Sequence, residues 1–132
     1  MVHHWIDSTG ARAYVAVVGR LTTLGDMLVH LEALLADQSW RPGMPLIEDL
    51  RNLYGGAPLA WRGPWRRFLA THARSLAGCH WAVVLAEENA TLFAVLDDAA
   101  AIAAEYSVVL RTFTHSEQAH AWVNSVGHQH RP

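Results

Sequence analysis

Short apolar runs alternating with segments of helical periodicity predict a single α/β domain. It is built on a mostly parallel five-stranded sheet with an antiparallel edge strand and helices on both faces, in the order β-β-α-β-α-β-α-β-α. Two observations carry most of this. In the stretch 78–113, residues 80–86 (HWAVVLA) form an apolar run, 89–106 are apolar at helical spacing, and 107–113 form a second run rich in valine. Two buried strands joined by a helix of that length cannot close as a tight hairpin, so this unit is a parallel crossover. The second observation is the stripe Leu21, Leu24, Met27, Leu28, Leu31, Leu34 and Leu35, whose steps of three and four are those of a helix burying one face.

Each element has its own local signal. Residues 3–7 (HHWID) and 12–20 (RAYVAVVGR) read as two strands joined by a tight connection containing Thr9 and Gly10, which is a β-hairpin pattern. Thr22 or Thr23 stands where a hydroxyl can cap the first helix, and Asp26, His30 and Asp37 fall off its apolar stripe. Residues 40–45 (WRPGMP) read as a loop because Pro42, Gly43 and Pro45 disallow regular structure, and 44–49 (MPLIED) supply a short strand ending in two acids. Gly55, Gly56 and Pro58 interrupt any period across 50–59. A helix is expected over 64–77, with Pro64 at its first position, Gly78 just past its end, and a heavy stripe of Trp61, Trp65, Phe68, Leu69, His72 and Leu76. After the crossover unit, Thr114 and Glu117 have the spacing of a capping box, and Ala119, Trp122, Val123 and Val126 continue a last helix. The domain is expected over 1–126, with a polar tail at 127–132. Crossovers between parallel strands are right-handed, and the first strand forms the antiparallel edge.

Composition narrows the function classes. A chain of 132 residues is long enough to bury one core without staples. No segment approaches the roughly 18 unbroken apolar residues of a membrane span, and the N-terminus lacks a basic region followed by an apolar one, so a cytoplasmic location is expected. The single Cys79 has no internal disulfide partner and reads as a small buried hydrophobe. The net charge is −2 and every basic residue is arginine, so no basic field marks a nucleic-acid partner.

In open α/β sheets, ligands use the crevice beyond the carboxyl ends of the strands. Here that edge collects Asp49, Arg51, Tyr54, Trp61 and Arg62, charges interleaved with aromatics. They read as a site for a protein partner or a small anionic or apolar ligand, because an arginine fork binds carboxylates and phosphates in bidentate fashion. The competing reading is that Asp49 and Arg51 brace the loop while Tyr54 and Trp61 close the core. Nine histidines lack metal-ligand spacing: none are four apart on a helix, and His3 and His4 point to opposite faces of a strand. No metal and no cofactor is expected. His72 and His80 lie among aromatics and are the two candidates for acid–base work. The pairs Glu48-Asp49, Glu87-Glu88 and Asp97-Asp98 are adjacent, so their side chains diverge and form no acid–base couple. No nucleophile elbow, phosphate-cradling loop or H-E-x-x-H is present, so no catalytic residue is assigned. Trp65, Trp81 and Trp122 are expected in the core, with one or two of Trp5, Trp40 and Trp61 exposed.

Four segments resemble the STAS family, and more closely its SpoIIAA-like branch, itself likened to CRAL-TRIO lipid-carrier domains. They are Val17–Thr22 (VVGRLT), Leu46–Arg51 (LIEDLR), His80–Leu85 (HWAVVL) and Val109–Trp122 (VLRTFTHSEQAHAW). They occur in the family's order and span about Trp5 to Val126. The resemblance implies a non-catalytic binding or regulatory module. In antagonist proteins of that family a serine at the head of the second helix is a phosphorylation switch. This chain has no serine between Ser39 and Ser75, only Thr71 in mid-helix, so the switch is not expected. Two alternatives stand beside the regulator: a lipid-like carrier with a cavity between the sheet and the 61–77 helix, and a small enzyme using His72 or His80. Self-association through the edge strand would make a homodimer.

Overall fold

The computed structural model describes residues 2–7, 12–17, 24–53 and 59–129. The elements are β1 (Val2–Asp7), β2 (Arg12–Val17), α1 (Leu24–Leu35), β3 (Leu46–Asp49), α2 (Arg62–Thr71), α3 (Ala73–Leu76), β4 (His80–Val84), α4 (Ala90–Ala104), β5 (Val109–Phe113) and α5 (Ser116–Gln129). The hairpin connection, the Thr22/Thr23 cap and Tyr54 lie outside the described residues.

The five strands lie side by side in sequence order, β1-β2-β3-β4-β5. β1 is antiparallel to β2, with Trp5 opposite Tyr14, and the remaining pairs are parallel. Because every parallel step moves in one direction, crossovers of one hand put all their helices on the same face. The burial pattern agrees: Leu31, Leu34, Trp65, Leu69, Leu76, Leu92 and Ile102 from α1 to α4 share one core with Val15, Leu46, Trp81 and Val83 of the sheet. α5 comes after the last strand and is free of that rule. It packs on the other face, placing Ala119 and Val123 against Ile47, Ala82, Val84 and Phe113. Among the described residues helices thus occupy both faces, four to one.

Local chemistry sets the boundaries. The helix expected over 64–77 starts at Arg62 and breaks at His72 into α2 and α3. Pro64 is therefore the third helical residue, still in the first turn, where backbone N–H groups have no intrahelical acceptor to lose. Asn89 caps α4, its side-chain oxygen accepting from the Leu92 N–H at 3.2 Å. α5 begins one residue later than the Thr114–Glu117 spacing implies. Indole groups are used as both filling and fasteners: Trp40 donates to the Ser75 carbonyl at 3.2 Å and Trp65 to the Ala99 carbonyl at 3.1 Å. Trp40 and Trp61 are buried, Trp122 is half-buried, and Trp5 is 50% exposed. Between α2 and the sheet, Trp65 stacks on Phe68 and meets Trp81 edge-on at 5.5 Å.

Gly43 shows how tightly the 40–45 loop docks. Its φ is +77°, and a Cβ there would stand 2.9 Å from the Ala77 carbonyl oxygen, while its own N–H donates to the Ser75 carbonyl at 3.0 Å. Gly43→Ala combines left-handed strain with a backbone clash and is expected to destabilise the fold by about 2 kcal/mol. Denaturant unfolding monitored by circular dichroism checks this; an unchanged midpoint would show that the loop is loosely held.

Candidate functional site

Period-two alternation divides the sheet side chains between two environments. Tyr14, Ala16, Ile47, Asp49 and Val84 face α5; Val15, Leu46, Glu48, Trp81 and Val83 face the four-helix layer. α5 packs on β3, β4 and β5. It leaves an open groove of about 610 Å³ over β1 and β2, reaching the carboxyl ends of β2, β3 and β4. An aromatic row crosses it. Trp5 stacks on Tyr14 with centroids 5.1 Å apart and planes 13° from parallel, and Tyr14 meets His120 of α5 at 5.8 Å. Asp7 and Asp49 supply carboxylates to the lining, and Ser116, the first residue of α5, supplies a hydroxyl. A second groove of about 560 Å³ lies on the far side of α5, between Phe93, Arg111, Phe113 and Trp122.

The structure separates the residues that the sequence reading grouped. Asp49, at the end of β3, binds Arg51 through two contacts, Nε to Oδ1 at 3.0 Å and an η-nitrogen to Oδ2 at 2.7 Å, and also accepts from the Arg51 backbone N–H at 3.1 Å. Burial raises the Asp49 pKa, but the hydrogen bonds and charge of Arg51 outweigh it and hold the carboxyl below its ordinary value. The hydrogen bond to Asp49 and its charge raise the Arg51 pKa, and Glu117 of α5 adds to the effect. The fork that recommended Arg51 for an anion is thus turned on Asp49. Trp61 is 5% exposed and belongs to the core of the four-helix layer. Arg62 lies over its ring, 4.8 Å from the centroid, and pairs with Asp98 of α4 at 2.6 Å. Of the grouped residues that are described, only Asp49 lines the larger groove.

Sequence reasoning passed over Trp5, Tyr14, Ser116 and His120 as a set. The hairpin carried a signal for two of them, since a connection over 8–11 puts residue 5 opposite 14. Nothing local placed α5 beside them.

Glu48 is the other outlier. It is buried, its Oε1 accepts from the Trp81 indole N–H at 3.1 Å, and its neighbours across the strands are Val15 and Val83. Burial pushes its pKa from 4.5 up to about 7, against the opposing effect of the Trp81 hydrogen bond. Burial likewise pushes the Cys79 thiol up to about 12, which leaves it without thiolate character. Neither His72 nor His80 lines either groove. His72 packs on Phe68 at 4.9 Å, with Nε2 buried and 3.7 Å from Glu32. The His80 ring lies edge-on to Trp122 at 5.5 Å, with Nδ1 3.2 Å from the Gly78 carbonyl oxygen. Among the described residues no group of three histidine, cysteine or carboxylate side chains comes together to hold a metal. No described helix is long and apolar enough to cross a membrane.

The architecture has a counterpart among solved structures. It is similar to that of an uncharacterized DUF3478-family protein with a SpoIIAA-like fold from Shewanella loihica PV-4, with a TM-score of 0.56 over 92% of this chain and 93% of that one. The fold is SpoIIAA-like. Identity to that protein is 19%, so the likeness concerns the backbone arrangement alone. No protein-family model matches the chain, and no curated protein matches it. Within this SpoIIAA-like fold α2 opens with Arg62, Gly63, Pro64 and Trp65, and its cap position, Trp61, makes no side-chain cap hydrogen bond.

Two outcomes check these assignments. Trp61→Ala is expected to cost about 3 kcal/mol or more, as a core truncation does, whereas Arg51→Ala leaves the core intact and should change unfolding free energy by about 1 kcal/mol or less. For Glu48 the folded pKa is raised, so its stabilisation is fully present below pH 4.5 and is lost as pH rises through about 7. The stability advantage of wild type over Glu48→Gln should fall between pH 5 and 8 by on the order of 3 kcal/mol. Parallel pH profiles for the two proteins would show that Glu48 is solvated.

Proposed function

We propose that this chain is a non-catalytic binding module of the STAS type, working without a serine phosphorylation switch and engaging its partner or ligand at the groove between α5 and the β1–β2 face. The observation that carries this reading is the groove itself, with a volume in the range of small-molecule sites and an aromatic row beside two carboxylates and a hydroxyl. The aromatic row, with Arg51 folded onto Asp49 and so turned away from an anion, favours a ligand that presents a flat or apolar face. A regulatory role in the cytoplasm fits a domain whose working face is a surface groove. The absence of catalytic motifs in the sequence and the burial of Cys79 support binding over catalysis.

Native mass spectrometry after gentle purification tests the proposal. The wild-type protein is expected to carry an added mass, either a small molecule or a bound protein, and Ala16→Trp, which fills the groove floor, should lose it while keeping the wild-type circular dichroism spectrum. An adduct that survives Ala16→Trp would place binding elsewhere, and a bare chain in both samples would remove the support for a binding module.

A further inference from the structure

We propose that β1 is an interface for a second copy of this chain, the two sheets joining edge to edge as an antiparallel β1–β1 pair about a two-fold axis at Trp5. Among the described residues β1 has β2 as its one neighbour in the sheet. Its pairing is continuous from Val2 opposite Val17 to Asp7 opposite Arg12, so no bulge twists the outer row of backbone groups away. Such an edge is a template for another strand, and proteins usually blunt it with charge, proline or a bulge. β1 (VHHWID) contains no proline, lysine or arginine, and its one carboxylate, Asp7, is its last residue. The opposite edge is guarded: Arg111 of β5 is exposed and lies 5.2 Å from the Phe113 ring centroid and 5.9 Å from that of Trp122.

The side chains of β1 match a second copy of themselves. Trp5 is 50% exposed, and one ring face is occupied by Tyr14 of the neighbouring strand, so the other points away from β2. In an antiparallel pair, residues directly opposite each other project to the same face. An axis at Trp5 sets that residue opposite Trp5 of the second copy, with His3 opposite Asp7 and His4 opposite Ile6. By symmetry His3 meets Asp7 twice, donor to carboxylate, once on each side of the central tryptophan pair. A shift of two residues one way would put Asp7 opposite Trp5. The same shift the other way would leave Asp7 without an opposing residue in β1. Charge complementarity therefore selects this register and favours a copy of the chain over an unrelated strand. Since Trp5 also borders the larger groove, the second copy would stand at its open rim.

Sedimentation equilibrium combined with cross-linking tests the proposal. At about 100 µM the wild-type protein is expected to show twice the 14.6 kDa chain mass and to dissociate on dilution. Trp5→Lys should weaken association by about tenfold or more with an unchanged circular dichroism spectrum. As a check independent of that variant, Trp5→Cys should form an intermolecular disulfide under mild oxidation, because directly opposed strand residues come close enough to bridge. Val29→Cys, on exposed α1 surface, should not, and the native Cys79 is buried. A monomeric wild-type protein, a Trp5→Lys dimer of undiminished affinity, or equal cross-linking at positions 5 and 29 would overturn it. A monomer that instead binds an added peptide strand would assign the edge to a foreign partner.

Discussion

The handedness of the crossovers is the constraint on which the rest of this molecule depends. Parallel strands β2 to β5 are laid down in sequence order, so each connection steps the same way and each returns over the same face. That face receives four helices and the larger core. Among the described residues the other face receives α5, and one 14-residue helix cannot cover five strands. It settles over β3 to β5, where Ile47, Ala82, Val84 and Phe113 offer apolar surface. The groove over β1 and β2 and its aromatic row are consequences of that economy, as is an edge strand that, among the described residues, has one sheet neighbour.

The crowded face solves a different problem. A layer rich in tryptophan must satisfy its indole N–H groups as well as fill space. Trp40 and Trp65 reach backbone carbonyls, and Trp81 reaches Glu48. The last contact brings a carboxyl into a site where burial disfavours the charged form and raises its pKa. An ionisable group so perturbed is often found at functional sites. Here it sits beneath the helical layer, facing away from the groove, and its effect falls on stability.

How far the molecule was legible in its residues varied with the range of the interactions involved. Strands and helices could be read from periodicity, and the N-terminal hairpin from its spacing, because those signals are local. The helix break at His72 was missed, since the heavy stripe from Trp61 to Leu76 runs through it at helical spacing. The arrangement of the candidate residues depends on longer-range structure. Asp49 and Arg51 do meet, as a pair two residues apart can. Trp61 and Arg62 come soon after them in sequence but belong to the opposite face, because the connection from β3 carries the chain over to the helical layer.

From residues alone, an α/β domain with a parallel sheet, an antiparallel edge and no motif for metal or catalysis could be derived, since period and spacing act within a few residues of each other. Tertiary structure alone decided that Trp5, Tyr14, Ser116 and His120 share one groove. They come from both ends of the chain, and only the position of α5 on the sheet unites them. It also decided that Glu48 is buried and Arg51 is folded onto Asp49, because burial and pairing depend on what the rest of the chain places around a side chain.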